Sequence, residues 1–372
     1  MKRLVSAILI VVFFLILGYL LLIYATGKRL TREGNLVGIG IIQVDVTPDN
    51  SEIYLNNELK DQGDTNLENL KPGKYSIKVA KDSYSPWQKE IEVVEGKITP
   101  LKIKLFPSNP SLTAATFNGV FSPKLSPDGR KIAFGIQVEG KKGIWVLDLR
   151  DRQFFFNTNT LRQVVADTTA ISFSNSTLSW SQDSNSVLVQ SKNNTTSEPI
   201  SFLIDQSKLN TSPENVTSRI DELNKSWSDQ VIKINSEKLK NLGKEAQALA
   251  ADYKELLFAK DDSAVIVVKN DGSAVVFDTK PNPVPGVKPV TTQLPVAEKY
   301  FWFQDGTKHI VAVDKDTISL MDTDGTNKAS VFTADFDPDA IFSWPDGTRL
   351  ILALNLNSRS NPLPNLYTID LR

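Results

Sequence analysis

One signature recurs five times in the last two-thirds of the chain. It consists of an apolar residue, two small or polar positions, a turn aspartate and an apolar strand. It reads Leu125-Ser126-Pro127-Asp128-Gly129, Trp180-Ser181-Gln182-Asp183-Ser184, Phe258-Ala259-Lys260-Asp261-Asp262, Trp302-Phe303-Gln304-Asp305-Gly306 and, one residue shorter, Trp344-Pro345-Asp346-Gly347. Four residues past each aspartate stands Ile132, Val187, Val265, His309 or Leu350. Each unit then reaches a second apolar run ending in Asp148, Asp205, Asp278, Asp322 or Asp370. Units of about 40–45 residues with several short strands have the period of a propeller blade. One such unit cannot bury both of its faces, so the units must share cores around an axis and protect their edges by closing. Five signatures predict about five blades, with room for a degenerate sixth. The chain ends directly after the last run, so residues 112–117 are expected to supply the outermost strand of the last blade.

The interval between Asp183 and Asp261 is about 78 residues, an excess of about 35 over a blade period. There the pattern changes from period two to helical. Ile220, Leu223, Trp227, Val231 and Ile234 form one amphipathic stripe; Leu239, Leu242, Ala246, Leu249, Tyr253 and Leu256 form a second. A helical insertion is expected at about 207–256, starting near Ser212-Pro213. Its acids and bases balance, so it is no basic membrane-surface helix. It reads either as a hairpin packed on the propeller or as a protruding element that binds a partner.

The Ser-Pro-Asp-Gly turn before a strand resembles the blades of TolB-type and WD-repeat-like propellers, over about residues 111–372. A second resemblance lies upstream. Ile42, Val44 and Val46 alternate with polar neighbours and end at Pro48-Asp49-Asn50-Ser51. Ile53-Tyr54-Leu55-Asn56, Gly63-Asp64-Thr65, Leu70-Lys71-Pro72-Gly73-Lys74-Tyr75 and Tyr84-Ser85-Pro86-Trp87 follow. Five to six short strands in so short a stretch read as a compact β-sandwich. In order and spacing, residues 38–106 resemble the PEGA domain, a small surface-associated β-module. Ser51, Asn66 and Ser83 depart from its usual turn residues. The family carries no catalytic residues, so none transfers to this chain. Tyr84 and Trp87 are expected in the core.

Leu4 through Ala25 contain no charged residue, and a helix of that length matches a hydrocarbon core of about 30 Å. Tyr24-Ala25-Thr26-Gly27 is a poor signal-peptidase site, which favours an uncleaved anchor over a removed signal. Lys2 and Arg3 precede the span and Lys28, Arg29 and Arg32 follow it, so loop charge leaves orientation open. Residues 28–37 and 107–110 read as linkers. Both resemblances imply an N-terminus in the cytoplasm and a large extracytoplasmic C-terminal region.

The chemistry available is narrow. The absence of cysteine excludes disulfides, thiol catalysis and cysteine-ligated metal, and a single histidine, His309, excludes a two-histidine site. With 42 Lys+Arg against 43 Asp+Glu, there is no basic excess to hold nucleic acid. No nucleophile elbow, phosphate-binding glycine loop or paired-histidine zinc motif occurs. Five Asp-Gly pairs, beginning at Asp128, Asp271, Asp305, Asp324 and Asp346, are explained by turn chemistry. Asp322-Thr323-Asp324-Gly325 approaches a calcium loop without its downstream ligands. Asn-x-Ser/Thr triplets begin at Asn175, Asn193, Asn194, Asn210, Asn215 and Asn224, where these residues are abundant. No catalytic, cofactor or metal residue is assigned.

The chain therefore reads as mainly β: an N-terminal transmembrane helix, a PEGA-like β-sandwich and a propeller with a helical insertion. The expected role is noncatalytic binding or scaffolding at a prokaryotic cell envelope, toward the lipid bilayer and an envelope protein or glycan. Two alternatives stay open. One is a propeller hydrolase or lyase acting on envelope glycans; the other is a sensor that docks a membrane partner through the insertion.

Overall fold

The computed structural model describes residues 2–25, 28–30, 36–149, 161–280, 289–306, 308–356 and 362–372. The chain forms two compact units, one reaching to Phe106 and the other beginning at Pro107.

The first unit opens with helix α1 (Lys2–Ala25). Among the described residues, no helix is long and apolar enough to cross a membrane. Beyond α1, Lys28–Leu30 pairs with Leu36–Gly38. Seven strands then build two sheets. Thr65–Leu70, Gly40–Thr47 and Ile98–Lys104 form the first, its last two strands running parallel. Glu58–Gln62, Glu52–Leu55, Gly73–Ala80 and Trp87–Val93 form the second, all antiparallel. The apolar phase of every strand except the fully exposed Glu58–Gln62, with Ile42, Val44, Val46, Ile53, Ile77, Val79, Ile91 and Leu101 among others, fills one core. Asn56 and Asn57 both take positive φ in the two-residue turn before Glu58, as a tight hairpin requires. Ser51 is fully buried, and its hydroxyl donates to the Pro48 carbonyl at 2.6 Å, so the polar departure is satisfied locally. Trp87 lies in the core and Tyr84 packs against it.

Among its described residues, the second unit holds five four-stranded antiparallel sheets. The first blade is Phe121–Leu125, Lys131–Ile136, Gly143–Asp148 and Leu161–Ala166. The second is Thr177–Trp180, Ser186–Lys192, Pro199–Asp205 and Glu214–Asn215. The third is Tyr253–Phe258, Ala264–Lys269, Ala274–Asp278 and Val290–Gln293. The fourth is Lys299–Trp302, Ile310–Asp314, Thr317–Met321 and Ala329–Thr333. The fifth has three consecutive strands, Ile341–Ser343, Arg349–Leu354 and Asn365–Asp370. Its outermost strand is Leu112–Ala114, with Leu112 opposite Ile369 and Ala114 opposite Tyr367. The strand expected from residues 112–117 thus latches the fifth blade, though only its first three residues pair.

The seams follow from strand alternation, which sends successive side chains to opposite faces of a blade. Phe134 and Ile132 meet Phe342 and Ile351 between the fifth and first blades. Ala133, Ile144 and Val146 meet Trp180, Val187 and Val189 between the first and second. Ala264 and Ile266 meet Tyr300, Trp302 and Ile310 between the third and fourth. Between the fourth and fifth, the Ser343 hydroxyl accepts from the Gln304 N–H at 3.0 Å.

The remaining seam is different. Val265, Val267 and Phe277, on the other face of the third blade, are covered by Leu239, Leu242, Ala246 and Ala250 of the insertion. These come from helix α2 (Ile220–Leu242), its short continuation α3 (Lys244–Leu249) and the residue after it. Lys238 of α2 also bonds Asp262 in the third blade's turn at 2.7 Å. On the other side of the gap, Thr177, Ser179 and Gln190 of the second blade are exposed. On the same face, Leu188 opposite Ser179 and Ser201 opposite Gln190 are buried. A helical element therefore occupies the position next to the third blade that a further blade would take.

Two sequence expectations are corrected here. The second helical stripe does not continue to Leu256. Gly243 at φ +102° ends α2, and Tyr253–Phe258 is the innermost strand of the third blade, paired with Ala264–Lys269. Tyr253 and Leu256 join the same apolar cluster as α3, which is why their spacing imitates a helix. The fifth turn is not shortened. Ser126, Ser181, Ala259 and Trp344 each donate their N–H to the carbonyl five residues on, so Trp344 occupies the serine position and Ser343 the apolar one. It is the fourth turn that is longer, with the Phe303 N–H reaching the His309 carbonyl. Ile310, opposite Trp302, therefore holds the strand position that the sequence assigns to His309.

Candidate functional site

In a four-stranded antiparallel blade, the first-to-second and third-to-fourth connections share one end. The second-to-third connections and the links to the next blade share the other. The ring thus offers two chemically distinct ends.

At the first end stand the signature aspartates, and each is engaged by its own turn. Asp128 accepts from the Ser126 hydroxyl at 2.5 Å and the Arg130 N–H at 3.0 Å. Asp183 accepts from the Ser181 hydroxyl at 2.6 Å and the Asn185 N–H at 3.0 Å. Where alanine or tryptophan replaces that serine, a later hydroxyl substitutes: Ser263 for Asp261 at 2.7 Å and Thr348 for Asp346 at 2.7 Å. In the fourth blade, His309 Nδ1 lies 2.8 Å from Asp305. Its Nε2 is 3.7 Å from Asp322, beyond hydrogen-bond reach. Gly129, Gly306 and Gly347 take positive φ in these turns, and a Cβ on Gly347 would lie 2.4 Å from the Asp305 nitrogen. Lys308 of the fourth blade's turn lies 2.7 Å from Asp278 at the end of the third blade's third strand, a carboxylate only 3% exposed.

The Ser181 hydroxyl and then the Asn185 N–H hold the Asp183 carboxyl below its ordinary 3.8. A depressed carboxyl contributes stability that is present above its unfolded pKa and is lost as pH falls through the folded value. Asp183→Asn is therefore expected to flatten the loss of stability as pH falls below about 4, by a few tenths of a kcal/mol because the group is mostly solvated. Urea midpoints across that window check it; a variant profile parallel to the parent's would contradict it.

At the second end, Lys299 opens the fourth blade's innermost strand. Its ammonium donates to the Pro338 carbonyl at 3.0 Å, lies 3.6 Å from Asp339 and sits 5.9 Å from the Phe342 ring centroid. Burial pushes its pKa down, opposed by Asp339, Glu255 and Asp337. For a lysine with a depressed folded pKa, the cost of holding the charge is present below that value and is relieved as pH rises through it. Lys299→Met keeps the stem and removes the charge. Stability at neutral pH is expected to stay level or to rise by up to about 1 kcal/mol. A loss above about 2 kcal/mol by thermal or urea unfolding would show the ammonium to be stabilising instead.

Among the described residues, no group of three or more His, Asp or Glu side chains is placed to hold a metal ion. Asp324, in the calcium-like segment, accepts from Thr326 N–H and hydroxyl, at 3.1 and 2.6 Å. The exposed sequons at Asn194, Asn215 and Asn224 are on a loop, a strand edge and α2, whereas Asn193 is half-buried and accepts from the Thr195 and Thr196 N–H groups, and Asn210 spends its amide on the Val164 and Asp205 carbonyls. The Lys308–Asp278 and Lys299 contacts were not legible from the sequence. Asp278 stands out as a strand-ending aspartate, but nothing local identifies its partner a blade away.

Comparison with known proteins gives one family. Residues 39–109 match the PEGA domain. A comparison with curated proteins gives no match. Among solved structures, TolB from Acinetobacter baumannii is similar at 14% identity and a TM-score of 0.19, covering 79% of this chain and 55% of that one. This chain thus spans little more than half the length of that TolB. A calcium-binding regucalcin from Agrobacterium tumefaciens str. C58 is similar at 10% identity and a TM-score of 0.25, over 71% of this chain and 94% of that one. A gluconolactonase from Xanthomonas campestris is similar at 8% identity and a TM-score of 0.25, over 71% and 90%. The propeller reading stands on the sheet order itself.

Proposed function

We propose that this chain is a membrane-tethered, noncatalytic binding or scaffold protein of a prokaryotic cell envelope, with its PEGA-like unit and propeller outside the cell. The observation that carries the noncatalytic part is the state of the signature aspartates. Asp128, Asp183, Asp261 and Asp346 accept hydrogen bonds from their own turns, and Asp305 meets His309, so they serve the turns first. The PEGA match supports surface association, and the charge-free stretch from Leu4 supports the tether. Loops at the two ends of the ring present the binding surface to protein or glycan.

Crosslinking in native membranes, followed by identification of captured partners, tests the binding role; consistent recovery of an envelope protein or glycan supports it. Glycan cleavage by the purified chain would overturn it in favour of the hydrolase or lyase reading. Protease shaving of intact cells tests topology, and protection of the large units would contradict the outside placement.

A second reading is favoured by one feature of α2. Its stripe of Ile220, Leu223, Trp227 and Val231 is only half-buried, and Ile232 and Ile234 are exposed at 53% and 42%. This suits an insertion that docks a membrane partner. A deletion drawn to residue 256, the end that the sequence suggests for the insertion, would also remove most of the third blade's innermost strand, Tyr253–Phe258. Ile232→Glu with Ile234→Glu is the appropriate variant, and unchanged partner capture would discard this reading.

A further inference from the structure

All six Asn-x-Ser/Thr triplets of the chain begin between Asn175 and Asn224, on the second blade and the start of the insertion. Asn109-Pro110-Ser111 is barred by its proline. The abundance of these residues accounts for the triplets, but the fold treats the six very differently. To attach a glycan, an enzyme must reach an asparagine amide that is not already donating and hold the hydroxyl two residues on in the same site.

Five of the six fail. Asn210 donates to the Val164 and Asp205 carbonyls at 2.9 and 2.8 Å, and Asn193 is half-buried. Asn194 is exposed, but its amide donates to the Thr169 carbonyl at 3.2 Å. Asn175 is exposed, but Ser176 after it is buried and Thr177 already belongs to the innermost strand, opposite Gln190. Asn224 is exposed in the second turn of α2, where residues two apart point to different sides of the helix. Its amide and the Ser226 hydroxyl therefore diverge.

Asn215 meets every condition. It is exposed and ends Glu214–Asn215, the outermost strand of the second blade. Its Oδ1 accepts from the Thr217 N–H at 3.0 Å, an Asx turn that folds the side chain toward Thr217. Among the described residues, no group accepts from its Nδ2. The Thr217 hydroxyl oxygen accepts from the Ser201 N–H at 3.0 Å, which leaves the hydroxyl proton to donate.

We propose that Asn215 carries an N-linked glycan and that the other five triplets stay bare. The donor class is a glycan carried on a polyprenyl phosphate or diphosphate. Asn215 Nδ2 attacks the anomeric carbon. The N–C bond forms as the bond from that carbon to the phosphate oxygen breaks, the phosphate leaves with the electron pair, and the amide gives one proton to a base of the transferase. Nothing is oxidised or reduced. The glycan covers a thin edge: the two-residue strand pairs only with Phe202 and Leu203, and a hydrated sugar there keeps the blade from pairing with another chain. The inference rests on the outside placement proposed above, since such donors are used on the outer face of the membrane.

The full chain is isolated from its native membranes and its glycopeptides are read by mass spectrometry, with protease shaving of the intact cells in parallel. The expected result is a glycan mass on the peptide holding Asn215 alone. Asn215→Gln and Thr217→Val, expressed in the same cells, lose it completely; Thr217→Ser, which restores the hydroxyl, keeps it. A bare Asn215 on units that shaving cleaves overturns the glycosylation and leaves the outside placement standing. A bare Asn215 on protected units overturns both. A glycan that survives Thr217→Val, or one found at any other triplet, overturns the assignment to Asn215.

Discussion

Replacing Phe277 by alanine is expected to destabilise the propeller by about 3–5 kcal/mol, the cost of a cavity left by a fully buried aromatic ring. Phe277 is 1% exposed and faces the helical insertion, not another blade. The expectation holds only if α2 and α3 are a structural part of the ring. Urea unfolding of the full chain measures it, with Ile232→Ala on the exposed face of α2 as the companion variant, expected to change stability by less than about 0.5 kcal/mol. A loss below about 1 kcal/mol at Phe277 would mean that the insertion is a loosely attached appendage.

Lys308→Met is expected to cost about 3 kcal/mol, because it leaves the Asp278 carboxylate without its closest cation in a site only 3% exposed. Lys308 itself is 17% exposed, so solvent replaces little of the lost interaction. The double variant Asp278→Leu, Lys308→Met removes both charges and is expected to recover most of the loss. Additive losses would show that the two side chains act independently across the seam. The pair joins the third and fourth blades at the end where Ala264 and Trp302 already meet, so its loss adds to an otherwise apolar contact.

The sequence made most of the ring legible because its signature is local. The turn aspartate, the hydroxyl that bonds it and the apolar strand beyond lie within a few residues, so each blade announces itself independently. The latch was legible for a different reason: a blade with only three consecutive strands leaves an edge that must be covered. What failed was register and seam. His309 was placed on an apolar strand position because one inserted residue in the fourth turn is invisible to fixed spacing. The spacing of Tyr253 and Leu256 imitates a helix because a strand that joins the same cluster as α3 continues it. Lys299 and Lys308 act through partners in neighbouring blades, and no local pattern reports a contact set by ring closure. The half-buried face of α2 was likewise hidden, since exposure is decided by what the fold fails to cover.

The central claim is that the propeller closes on itself through Leu112–Ala114, and a cysteine pair tests it most directly. Thr113 and Thr368 stand opposite each other across the latch, at a cross-strand separation where a disulfide is geometrically accessible. In this cysteine-free chain, Thr113→Cys with Thr368→Cys can form only that intramolecular bond. Closure predicts near-complete crosslinking of the native protein under mild oxidation, seen as a mobility shift that reductant reverses and that prior unfolding in urea prevents. Native protein that keeps both thiols free would contradict the closed ring.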